Sequence, residues 1–228
     1  MPMYNSYPQT SPTSKNPATT QTIQSSMEVT GEGTVSAAPN RAIIVLGVIT
    51  ENPDLSTAQT ENAAAVTKVI NALLGLHIPR EQIQTVTYRI EMQYSFEDGT
   101  QTFKGYQVTH LLQITLDRVE QTGLVVDTAV TNGANVVSSI RFALSNPDLY
   151  YNQALSIAIQ NAGIKASTIA RTLGATLIKT PVKITEEPGE IESPIPIRAL
   201  AEGAAIPTPI QPGELDIRAV IRAKYTYF

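Results

Sequence analysis

The chain has two histidines, His77 and His110, and no cysteine. Thiol catalysis, disulfides and thiolate metal sites are therefore excluded together. His77 stands just before Ile78-Pro79, in a connection where solvent surrounds it. His110 falls on the apolar phase of a strand, where a functional imidazole would carry a proton or share a metal. With no second His or Cys beside it to complete a ligand set, it reads as an inner-face histidine. Glu97-Asp98 and Glu186-Glu187 are paired carboxylates of the kind that can divide acid and base roles, but both pairs adjoin turn or linker residues, where solvation keeps each group ionised. Gly31-Glu32-Gly33 offers the glycines of a phosphate cradle. Such a cradle needs a helix N-terminus directly after them, and here a strand pattern follows, so a bulge or a close backbone contact fits better. No nucleophile-elbow pattern of Gly, Ser and Gly occurs, and Met1, Met3, Met27 and Met92 are too scattered for a peroxide-scavenging patch. The expectation is a protein that is not an enzyme, with no catalytic residue, cofactor or metal ligand.

Charge and hydropathy narrow the partners. The 228 residues carry a net charge of −4 without any run of Lys or Arg, so a nucleic-acid backbone would meet repulsion rather than release counterions. The longest apolar run, Ala42 to Ile49, has eight residues against about 20 for a membrane helix. No transmembrane segment is expected. The N-terminus has neither a basic start nor an apolar stretch of secretory length, which predicts a cytoplasmic location.

The elements that position these residues follow from periodicity. Residues 1–26 contain nineteen Ser, Thr, Pro, Gln or Asn, too little apolar surface to offset the entropy of ordering, and read as a disordered polar tail; Tyr4 and Tyr7 would be its docking residues if it has a function. Met27, Val29, Gly31, Gly33 and Val35 share one face of a strand. After the Pro39-Asn40 turn, Ala42 to Ile49 forms a second strand covered on both sides. Asn52-Pro53-Asp54-Leu55 marks a helix start with Asn as cap, and Gly75 its stop. A strand with Val86, Tyr88, Ile90, Met92 and Tyr94 on one side turns at Glu97-Asp98-Gly99. It returns with Tyr106, Val108, His110, Leu112, Ile114 and Leu116 facing inward. A linking helix spans about 117–134, and a strand with Val136, Ile140, Phe142 and Leu144 follows.

Asn146-Pro147-Asp148-Leu149 then reproduces the earlier tetrapeptide, again between a strand and a helix, and suggests an internal duplication. The later helix ends near Leu173-Gly174. A strand with Ile178, Val182 and Ile184 precedes a long connection, and the chain closes on a strand whose Leu215, Ile217, Ala219, Ile221, Ala223, Tyr225 and Tyr227 face one way. The predicted fold class is α+β: duplicated strand-helix-strand-strand units, about 41–116 and 135–228, forming antiparallel or mixed sheets packed against helices.

Val29-Thr30-Gly31-Glu32-Gly33-Thr34-Val35 with Pro39 and the apolar strand, Gly105-Tyr106 at a strand head, the alanine series running into Leu173-Gly174, and Pro212-Gly213 before the last strand together resemble the SIMPL domain family over about residues 27–228. The resemblance implies an α+β fold, large rings in at least some members and no established catalytic residues. It also implies a periplasmic or cell-surface location and a link to oxidative stress. Asn40 stands where the family usually has Asp, which argues against a carboxylate-dependent role there.

Two features point to assembly. Ala154, Ala158, Ala162, Ala166 and Ala170 form an i+4 ridge of small side chains that lets a neighbour approach closely, either the chain's own sheet or another subunit. The connection 186–213 holds six prolines and five isoleucines and exceeds the roughly 12–15 residues at which structureless loops become uncommon. Ile195, Ile197, Ile206 and Ile210 need a dry surface, on this chain or on a neighbour. The leading expectation is a self-assembling structural or stress-associated homo-oligomer, with a large ring as its candidate form. The alternative is a binding module for a protein partner or small ligand.

Overall fold

The computed structural model describes residues 25–97, 99–187 and 208–228. In chain order these form β1 (Ser25–Ala37), β2 (Arg41–Asn52), α1 (Leu55–Gly75), β3 (Ile83–Glu97), β4 (Thr100–Leu116), α2 (Thr122–Thr131), β5 (Val136–Ala143), α3 (Pro147–Thr172), β6 (Lys183–Glu187) and β7 (Leu215–Tyr227). The fold is α+β, and the strands make two antiparallel sheets, ordered β3-β4-β2-β5 and β1-β7-β6.

Strand-helix-strand-strand recurs along the chain as β2-α1-β3-β4 and β5-α3-β6-β7. In space the strands are exchanged. β5 pairs with β2 in the first sheet, and β1 takes the place beside β7 in the second. The two strands expected on either side of the Pro39-Asn40 turn are both present, and the turn carries the chain from one sheet to the other. Asn40 holds this crossover, its amide donating to Ser145 Oγ at 3.0 Å while its Oδ1 accepts from Ser145 N–H at 2.7 Å.

In the first sheet, Ala42, Ile44, Leu46 and Val48 of β2 and Leu112, Ile114 and Leu116 of β4 bury one face under Val66, Val69 and Leu73 of α1 and Val125 and Ala129 of α2. Asn62 of α1 enters this core at 1% exposure, its Nδ2 donating to the carbonyls of Val48 and Val108 at 3.1 Å each. In the second sheet, Val29, Ala219, Ile221, Ala223 and Tyr225 lie under α3. The alternation expected of β1 and β7 appears as alternate burial along both. Ala37, Leu144, Leu215 and Ile217 form a third, smaller cluster, with Tyr150 and Tyr151 of α3 packed against it.

The helix ends differ from expectation in instructive ways. The cap of α1 is Asp54, whose Oδ1 accepts from Thr57 N–H at 2.8 Å, while Asn52 holds Asp54 N–H. The carboxylate wins because it sits one residue before the helix, where orphan N–H groups converge. In the second tetrapeptide the cap is Asn146 and Pro147 is already helical. Gly75 is the last residue of α1, and the left-handed residue is His77, φ 62°. Ile78 N–H reaches Leu73 O and His77 N–H reaches Leu74 O, the paired closure of a Schellman motif. α2 and α3 close the same way on Gly133 and Gly174. The linking helix is shorter than expected, beginning at Thr122 after a 3-10 turn at Val119–Gln121.

Candidate functional site

The sequence candidates settle into structural roles or fall outside the described residues. Ala154, Ala158, Ala162 and Ala166 are fully buried and Ala170 nearly so, four of them in the cluster that α3 forms on β1 and β7 of its own chain. Opposite them lie Gly31 and Gly33. A Cβ on Gly33 would fall 2.0 Å from Ala154 O, so these glycines serve close backbone contact rather than phosphate binding. Asn161 Nδ2 and Lys165 Nζ of α3 donate to the outer carbonyls of Glu32 and Thr30 at 2.7 and 2.8 Å, covering the edge of β1.

Ile195, Ile197 and Ile206 lie outside the described residues. Ile210 is half-buried against the core of the first sheet. Beside it, Thr208 is fastened to Asp127 of α2: its N–H donates to Oδ2 at 3.0 Å and its hydroxyl to Oδ1 at 2.5 Å. The end of the Pro/Ile connection thus docks on its own chain. Residues 1–24 also lie outside the described set, and Ser25 and Ser26, expected in the tail, pair with Tyr227 and Thr226.

The candidate histidines and carboxylates do not converge on one site among the described residues. His110 Nε2 lies 3.0 Å from Thr85 Oγ1, its ring is edge-on to Tyr88 at 5.2 Å, and burial lowers its pKa. Glu186 accepts from the Tyr151 hydroxyl at 2.5 Å, and Glu187 pairs with Arg222 at 2.6 Å. These carboxylates are tied to separate partners rather than poised as an acid–base pair. Asp98 lies outside the described residues. Among the described residues no three His, Cys, Asp or Glu side chains converge on a metal position, and no helix is long and apolar enough to cross a membrane.

The feature that sequence reasoning did not reach is the exposure of β3. Its alternation is present, but its apolar side is bare: Tyr88 is 52% exposed, Met92 58% and Phe96 73%, with Ile90 and Tyr94 also exposed. Register explains why. Tyr88, Ile90 and Met92 stand opposite His110, Val108 and Tyr106, which in turn oppose Val48, Thr50 and Asn52. The row therefore continues the face that α1 covers, but α1 lies over β2 and β4, and β3 projects past it. Beyond a bulge between Gln93 and Tyr94, the row ends in an aromatic chain, Tyr94 to Phe103 at 5.7 Å and Phe103 to Tyr106 at 5.3 Å. The outer backbone edge of β3 has no strand partner among the described residues. Only the length of α1, 21 residues, set against two strands of 15 and 17, could have signalled the shortfall.

A family model named SIMPL and described as a protein of unknown function matches residues 27–225. The 26 kDa periplasmic immunogenic protein of Brucella melitensis is 32% identical over 177 residues, 75% of this chain and 70% of the relative. Its Brucella abortus counterpart matches equally. The uncharacterized protein YggE of Escherichia coli is 27% identical over 140 residues, 61% of this chain and 57% of the relative. The expected cytoplasmic location is overturned here, because the Brucella relatives are named as periplasmic.

Proposed function

The chain belongs to the SIMPL family, and from that premise we propose that it is a non-enzymatic, self-assembling structural or stress-associated protein of the periplasm. The observation that carries this reading is the bare apolar row of β3 beside an unpaired strand edge. A contiguous exposed apolar patch on a strand edge marks an interaction surface, and each side chain of the row that becomes fully buried contributes about 1.5–3 kcal/mol. A second copy supplies a matching row and a matching edge, as closed symmetric assembly requires. Ile195, Ile197 and Ile206 form a second candidate contact in this scheme.

Sedimentation velocity tests it. The wild-type chain is expected to form one defined oligomer. Met92→Glu with Phe96→Glu places charges on exposed positions and is expected to give smaller particles with a native circular dichroism spectrum. Replacing Ile195, Ile197 and Ile206 by Ser is expected to reduce particle size in the same way. An unchanged particle in the hairpin variant removes that surface from the assembly. A monomeric wild type favours the second reading, a binding module whose β3 edge takes an extended peptide of a partner by strand addition.

A further inference from the structure

Helix α3 sits off-centre on the second sheet. Lys165 and Asn161 bind it to the β1 edge, and its opposite flank faces the segment leading into β6. There Leu177 bridges to Tyr227 of β7. Between that segment and one stripe of the helix runs a groove of about 650 Å3, within the roughly 300–1,000 Å3 of small-molecule sites.

The lining is sorted by chemistry. Ile164 and Leu177 are apolar, Arg171 and Lys179 are cationic, and no Asp or Glu among the described residues lines the groove. Neither cation is in an ion pair among the described residues, in a chain whose net charge is −4. Gly163 stands in the groove wall, inside a 26-residue helix, where glycine weakens the helix relative to alanine. Packing does not demand it, because a Cβ there would meet only the Tyr225 hydroxyl, at an ordinary 3.6 Å. Tyr225 itself is 2% exposed, and no described residue hydrogen-bonds its hydroxyl. Burial raises its pKa, so it remains a protonated donor.

We propose that this groove binds a small apolar carboxylate of the medium-chain fatty-acid type. Its carboxylate is held by Arg171 and Lys179, and its chain lies on Ile164 and Leu177. Charge selects the anion and the apolar walls select the chain, so neither a short anion nor a neutral chain satisfies both.

Isothermal titration of the full chain with decanoate tests this, with decanol and acetate as single-feature controls. Saturable decanoate binding is expected, weaker by about tenfold or more in Arg171→Gln/Lys179→Gln, the scale of losing charge-assisted contacts. Ile164→Ser, at a position 63% exposed, is expected to weaken decanoate while leaving the fold intact. Decanol and acetate should each bind less tightly than decanoate. Absence of saturable binding by the wild type overturns the proposal. So does equal binding by the double variant, which would move decanoate to another apolar surface such as the β3 row. Neither result depends on the oligomeric state.

Discussion

Gly31 and Ala158 approach so closely that a Cβ built on the glycine would fall 2.0 Å from the Ala158 carbonyl oxygen, and 2.8 Å from Ala162 Cβ. The alanine ridge and the glycines of β1 are therefore two halves of one seam, in which small residues on both sides bring backbone to backbone. Gly31→Ala is expected to destabilise the protein by about 3 kcal/mol, the upper end of ordinary overpacking, and Ala162→Leu by about 1–3 kcal/mol. Chemical denaturation reads both directly, and a Gly31→Ala midpoint equal to wild type would mean that α3 does not press on β1 as described.

His77 occupies the left-handed position that closes α1, where α2 and α3 use Gly133 and Gly174. A side chain there strains the backbone, and glycine relieves the strain at some entropic cost. His77→Gly is expected to stabilise the chain by about 0.5–1 kcal/mol, a rise of a few degrees in melting temperature. A fall would show that the imidazole makes a contribution larger than the strain.

The Thr208 hydroxyl, and after it the Thr208 N–H, holds the Asp127 carboxyl below its ordinary pKa. A carboxylate depressed in the folded state stabilises the fold above its unfolded pKa of about 3.9, and that contribution is lost as pH falls through the lower folded value. Asp127→Asn should therefore melt below wild type at about pH 6, and the two curves should converge toward about pH 2. A difference that persists unchanged into acid would mean that the contact does not depend on the charge.

The sequence by itself determined the elements and most of their faces. Period-two alternation placed Val29, Gly31 and Gly33 on one side of β1 and Leu215 to Tyr225 on one side of β7. The four-residue spacing from Ala154 to Ala170 marked the buried stripe of α3, and the ends of α2 and α3 were legible in Gly133 and Gly174. Motif order along the chain carried the family. These are local properties, written in neighbours within a few residues of each other.

What only the tertiary structure decided is which elements meet and which surfaces stay bare. The exchange of β1 and β5 between sheets depends on pairings across most of the chain, and no local pattern encodes it. The apolar row of β3 alternates as a buried strand does, yet it is exposed, because burial requires a covering element and α1 stops short of it. Asn62, a polar residue within α1, is buried because α1 crosses the sheet where its amide reaches two carbonyls, those of Val48 and Val108. The same holds for the groove beside Gly163: Ile164 and Arg171 of α3 meet Leu177 and Lys179 of the following segment only where α3, held against β1 by the Gly31–Ala158 contact, leaves space on its other flank.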